Sequence, residues 1–208
     1  LKTEKFVGLP DLQSLTGVDP KELSQRLRTK TTVPSIEPLK IEENTTSISS
    51  AVVDIFGPGG SLGTSLKGFE SRPEQLEMAT AVANAIENRE NLVVEAGTGV
   101  GKSLAYLIPS VLHAIHTGSR IIVSTNTINL QEQLTYKDVE ITEEALIAYG
   151  KSFGQLRVSQ LKGRANYLCF KRWHNALLNT EQSVDDSRML SKLLVWMQST
   201  KTGDRAEL

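Results

Sequence analysis

Between Phe69 and Leu161 the apolar positions switch between helical spacing and short unbroken runs. After Ser71-Arg72-Pro73-Glu74-Gln75, with a proline near the start and an early acid, Leu76, Ala79, Ala83 and Ile86 share one face and predict a helix. Residues 92–95 form a short apolar run and predict a strand; residues 102–116 predict a helix, which Pro109 should kink by removing a backbone donor. Residues 120–124 predict a second strand, apolar through its middle as in a sheet covered on both faces. Helical spacing returns over 127–139 and 142–149, a third strand is predicted at 156–161, and Leu190, Leu193, Leu194 and Met197 mark an amphipathic helix over 186–197. This alternation predicts an α/β fold with a parallel sheet of the RecA-like kind.

Upstream of Phe69 the pattern weakens. Phe6, Val7, Leu9, Leu12 and Leu15 are scattered, and a helix is predicted from Asp19, with Pro20 at its first position and Leu23 and Leu27 four apart. Residues 31–50 are rich in Thr, Ser and Pro and read as a linker, and Gly57-Pro58-Gly59-Gly60-Ser61 reads as a turn preceding the compact part. The expected division is 1–66 as the tail of an upstream region and linker, 67–161 as an ATP-binding domain, and 162–208 as the start of a further helical domain.

The 208 residues are 39% hydrophobic and 23% charged, with a net charge of −1 and one cysteine. This composition predicts a globular protein of a reducing, cytoplasmic compartment without a membrane partner. The chain begins at Leu1 rather than Met and is expected to be a piece of a longer protein. Charge is unevenly spread. Over 31–66, Glu37, Glu42, Glu43 and Asp54 face Lys40 alone, whereas over 145–180 there is no acid and Lys151, Arg157, Lys162, Arg164, Lys171 and Arg172 accumulate. That bias fits either a phosphate-binding face or a solvated basic helix face.

The chemistry concentrates where the first strand ends. Glu95 leads into Ala96-Gly97-Thr98-Gly99-Val100-Gly101-Lys102-Ser103, a glycine-rich loop between a strand and a helix. Glycines let backbone N–H groups curl around a phosphate, Lys102 can reach the β/γ oxygens, and the Ser103 hydroxyl can ligate Mg²⁺. The general P-loop pattern has glycine where this chain has Ala96, a variant common in helicase-type ATPases. Lys102 and Ser103 are the candidate catalytic residues, and ATP with Mg²⁺ the expected ligand.

Four segments resemble the DinG/XPD family of iron-sulfur helicases, the bacterial DinG branch above all. Residues 69–79, with Arg72 and Gln75, look like the Q motif; 95–103 look like motif I; 124–134 are similar to motif Ia; and 161–169, Leu-Lys-Gly-Arg-Ala-Asn-Tyr-Leu-Cys, look like the entry to the iron-sulfur domain. Gln75 carries an amide able to serve adenine's paired donor and acceptor, or it is an exposed helix glutamine. Arg72, one turn earlier, can support the base or the neighbouring backbone. Thr125, Asn126 and Thr127 follow a strand at the edge where such sheets place ligands, and can hold DNA phosphates or simply cap the next helix. Lys162 and Arg164, interleaved with Tyr167, Phe170 and Trp173, suit single-strand contact, although each aromatic taken alone reads as packing. The resemblance implies that Cys169 is the first of four [4Fe-4S] ligands, the other three lying outside this chain; a lone cysteine by itself reads as a small buried hydrophobe.

What the resemblance implies is an ATP-dependent DNA helicase of 5′-to-3′ polarity, acting on single-stranded or forked DNA in repair or replication. No Asp-Glu-x-His/Asp segment is present to complete metal binding, so this piece alone is expected to be nearly inactive. Two other readings stand beside it: a P-loop ATPase or kinase acting on a small molecule, and a non-catalytic nucleic-acid-binding module with an ATP pocket.

Overall fold

The computed structural model describes residues 46–66, 68–151, 156–178 and 182–208. The predicted helix from Asp19 lies outside these residues. What is described falls into two compact units, one up to Gln160 and one from Leu161 to Leu208.

The first unit begins with a helix where a linker was expected. Helix α1 (Ile48–Phe56) is capped by Ser47, whose side chain accepts from the Ser50 N–H, and it buries Ile48, Ala51, Val52, Ile55 and Phe56. Those positions follow the helical i, i+3, i+4, i+7, i+8 spacing. The segment's Ser and Thr content concealed that spacing. Glu87 of helix α3 (Pro73–Asn88) accepts the Ile48 N–H at 2.5 Å, tying α1 to α3. The turn between α1 and the short helix α2 (Ser61–Ser65) requires glycine at Gly60, because a Cβ there would lie 2.4 Å from the carbonyl oxygens of Asp54 and Ile55.

Helix α4 (Lys102–Thr117) runs through Pro109, which is buried, and packs against α3. Ala79 and Ala83 of α3 and Ala105 of α4 are fully buried, and such small side chains permit close approach of the two helices. Leu104, Ile108 and Leu112 complete this core with α1, Leu62, and Ala145 and Leu146 of helix α6 (Val139–Ala148). The two helices expected over 127–149 are joined: helix α5 (Ile128–Gln133) passes through a π-helical turn at Leu134–Asp138 directly into α6.

The expected sheet differs most. Residues 91–97 and 119–125 contain no helix and form no ladder among the described residues, and the same holds for 156–163. Val93 is 98% exposed and Ile122 92%, so both predicted strands lie open. A parallel strand is stabilised only by neighbours that accept and donate along its length, and without them an apolar run stays unpaired.

The second unit is built on helices α7 (Phe170–Leu177) and α8 (Val184–Ser199). Ser183 and Asp186 form a capping box at the start of α8. Trp173 packs with Leu190, Leu194, Trp196 and Met197, and Phe170 meets Trp173 edge to face at 5.6 Å. An antiparallel bridge pairs Tyr167 with Asp204.

Candidate active site

The glycine-rich loop is shaped by two left-handed residues, Gly99 at φ +83° and Gly101 at φ +84°. An L side chain is strained at either position. Gly101 is also the N-cap of α4, so Lys102 and Ser103 open that helix with Gly97, Thr98, Gly99 and Val100 just before them. The ammonium of Lys102 donates to the carbonyls of Ala96 at 3.0 Å and Gly97 at 2.7 Å.

Residues preceding and opening α3 reach the same loop. Arg72 donates to the Gly99 carbonyl, and Gln75, buried at 4% exposure, donates through Nε2 to the Gly101 carbonyl at 3.0 Å. Gln75 is therefore not a solvent-facing helix residue. Three side chains separated in sequence converge on one loop through its carbonyl oxygens. The signal for this in the sequence was only the spacing between two motifs.

Tyr106 was not singled out from the sequence. It sits one turn after Ser103 on α4, and burial pushes its phenol upward, partly offset by a hydrogen bond from Ser103, with the nearby Asp138 carboxylate adding to the rise. Asp138 ends the π-helical turn, is 4% exposed, and accepts from Gln133 Nε2 at 2.9 Å. No periodicity marks a π-turn, so the placement of Asp138 near Tyr106 was not visible in the sequence.

The residues expected at the nucleic acid are placed less uniformly. Thr127 caps α5, accepting from the Leu130 N–H at 3.2 Å, and the Thr125 hydroxyl donates to the Thr127 carbonyl at 3.2 Å, while Asn126 is exposed. Lys162 is taken inside the second unit: its ammonium lies 2.7 Å from Asp204 and its backbone N–H donates to the Tyr167 hydroxyl at 2.8 Å. With 8% of its surface exposed, it does not present a surface charge as expected from the sequence, because a buried ammonium is stable only beside a carboxylate. Arg164, Lys171 and Arg172 are exposed, and Trp173 is buried. Cys169 is an exposed thiol at the N-cap of α7 rather than a packed core residue.

Comparison with known proteins points the same way. The model of the DEAD/DEAH box helicase family matches residues 74–194. The chain is similar to the ATP-dependent DNA helicase YoaA of Haemophilus influenzae, 43% identical over 159 residues, which cover 75% of this chain and 23% of that protein. It is 35% identical over 179 residues to the ATP-dependent helicase DinG of Mycobacterium tuberculosis, covering 78% of this chain and 26% of that one. A protein named 3′-5′ exonuclease DinG from Bacillus subtilis is 36% identical over 143 residues, 69% of this chain and 15% of its own length. No solved structure matches. The chain thus spans 23% and 26% of the two helicase relatives. With a family match over more than half its length and its glycine-rich loop at the start of α4, this chain belongs to the DEAD/DEAH box helicase family and resembles the DinG and YoaA helicases within it.

Proposed function

We propose that this chain carries the ATP-binding part of a DinG-like DNA helicase that couples MgATP hydrolysis to movement on single-stranded or forked DNA. The observation that carries the reading is the loop itself: two left-handed glycines, Lys102 and Ser103 at the first positions of α4, and Arg72 and Gln75 contacting the loop from α3 and its N-cap. The name of the YoaA relative, an ATP-dependent DNA helicase, supports the DNA half of it.

The residues present fit a magnesium-bound triphosphate. Left-handed glycines leave the loop free of Cβ atoms at its two turns, and Lys102 is a cation within reach of it. When bound, MgATP supplies the scissile γ-phosphoryl bond and the metal charge. Lys102 exchanges the Ala96 and Gly97 carbonyls for phosphate oxygens and stabilises charge developing there. Ser103 offers its hydroxyl oxygen to the metal. Gln75 keeps one amide hydrogen on Gly101 and has a second hydrogen and Oε1 for the adenine edge. The open segments at 91–97 and 119–125 are strands of a RecA-like parallel sheet whose neighbours belong to the rest of the longer protein.

Thr125, Asn126 and Thr127 contact the DNA backbone in this reading, joined by the exposed Arg164, Lys171 and Arg172. The polarity is 5′ to 3′ and the compartment the cytoplasm. A [4Fe-4S] cluster needs four thiolates, and this chain has one cysteine, so its own residues do not hold a cluster. The exposure of Cys169 permits it to be one ligand of a cluster completed elsewhere in the longer protein. Iron and acid-labile sulfide in the intact protein should be lost on Cys169→Ser; unchanged iron removes Cys169 from the ligand set.

The deciding experiment is ATP turnover of the intact protein with and without single-stranded DNA. Strong stimulation by DNA supports the helicase. Turnover indifferent to DNA but dependent on a small acceptor would point to the kinase reading.

A further inference from the structure

Asp138 is a buried acid that the chemistry above does not use. It closes the π-helical turn between α5 and α6, is 4% exposed, and accepts from the neutral amide of Gln133 at 2.9 Å. Gln133 is the last residue of α5 and Asp138 the last of the turn, so their bond clasps the turn from both ends. The turn has further supports of its own. The Val139 N–H reaches the Leu134 carbonyl five residues back, and threonine hydroxyls donate to carbonyls on either side, Thr135 to Gln131 at 2.8 Å and Thr142 to Asp138 at 2.7 Å. Single π turns inside α-helices occur frequently at functional sites. Closing this one into regular helix would swing the chain before it by about 100° around the axis and about 1.5 Å along it, which gives the element two discrete arrangements.

The two sides of the turn meet different parts of the proposed activity. On one side α5 starts at its cap Thr127, in the segment proposed for the DNA backbone. On the other the turn packs on α4, and the Asp138 carboxylate lies close enough to Tyr106, one turn after Ser103, for its charge to be felt there. We infer that Asp138 and Gln133 are a positioning pair that clasps the π turn and so passes the state of the DNA segment at 125–127 to helix α4. Coupling between two sites needs an element that both can bias, and a π turn held by one side-chain bond meets that condition. The inference rests on the helicase reading above and adds residues that touch neither nucleotide nor DNA.

The test is ATP hydrolysis by the intact protein, without DNA and at saturating single-stranded DNA. Gln133→Ala should cut the stimulation by DNA about tenfold, the scale of losing one hydrogen bond to a charged group, while the DNA-independent rate and the KM for ATP stay within about twofold of wild type. Asp138→Ala should do the same, and Asp138→Asn, which retains an acceptor for Gln133, should restore most of the stimulation. Gln133 is exposed, so its substitution breaks the clasp without opening the core even if Asp138→Ala is poorly folded. Stimulation within twofold of wild type in Gln133→Ala would overturn the inference. So would an equal fall in the DNA-independent rate, which would mark the bond as support for the fold alone. A wild-type protein whose turnover ignores DNA would instead sink the helicase reading, and the inference with it.

Discussion

In the unit up to Gln160, the polar side chains nearest the candidate chemistry reach for backbone carbonyls of one loop; in the unit from Leu161, comparable side chains reach for each other. Lys102 rests on Ala96 and Gly97, whereas Lys162 rests on Asp204. Both lysines follow or precede glycine in motif-like runs, and from the sequence both looked like phosphate contacts. The difference lies in the partner. Neutral carbonyls hold an ammonium weakly enough to yield it to a phosphate, while a buried carboxylate holds it as part of the fold.

The sharpest way to break this comparison is to remove the carboxylate. Asp204→Ala should destabilise the second unit by about 3 kcal/mol, since it takes the carboxylate away from a buried ammonium. Both tryptophans, Trp173 and Trp196, lie in this unit, so their fluorescence in a urea titration reports it selectively. A midpoint equal to wild type would show that Lys162 has another resting place. The matching change in the first unit acts on activity instead of stability. Lys102→Ala should lower DNA-stimulated ATP hydrolysis of the intact protein by at least about 100-fold, typical of removing one charge-stabilising donor, with circular dichroism unaltered.

Two glycines then separate strain from contact within the loop. Gly99→Ala and Gly101→Ala each force an L residue into left-handed backbone, a cost of about 1 kcal/mol or somewhat more. Only at Gly101 does the new Cβ also meet Gln75, whereas at Gly99 nothing lies within 4 Å. Nucleotide affinity should therefore fall further for Gly101→Ala, and equal losses in the two variants would mean the Gln75 contact carries little.

The smallest expected effect is on pH. Hydrogen bonds from the Thr200 and Thr202 hydroxyls and neighbouring backbone N–H groups hold the Glu207 carboxyl down from 4.5 to about 2. Because the folded state lowers this value, the stabilisation is complete above about 4.5 and is lost as pH falls toward 2. Glu207 is largely exposed, so solvent screens the effect. Tryptophan-monitored stability should decline less steeply over that interval in Glu207→Gln than in wild type; parallel curves would assign the decline to other carboxylates.

The glycine-rich loop at the start of α4 was readable without coordinates because its residues are adjacent: the glycines, Lys102 and Ser103 follow one another in the chain. Helices α3, α4 and α8 were readable for the same reason, their apolar faces recurring at a fixed local spacing. Helix α1 was equally readable in principle, since Ile48, Ala51, Val52, Ile55 and Phe56 carry the spacing that composition obscured. Pairing was not readable in this way. That Lys162 belongs to Asp204, that Gln75 belongs to Gly101, and that the apolar runs near Val93 and Ile122 remain without a ladder among the described residues all depend on which distant segments meet. Local sequence determined the loop and the helical faces because backbone geometry and side-chain period act over a few residues. Only the tertiary structure decided which charges and amides those elements receive, because a buried polar group takes its partner from whatever the folded chain brings within about 3 Å.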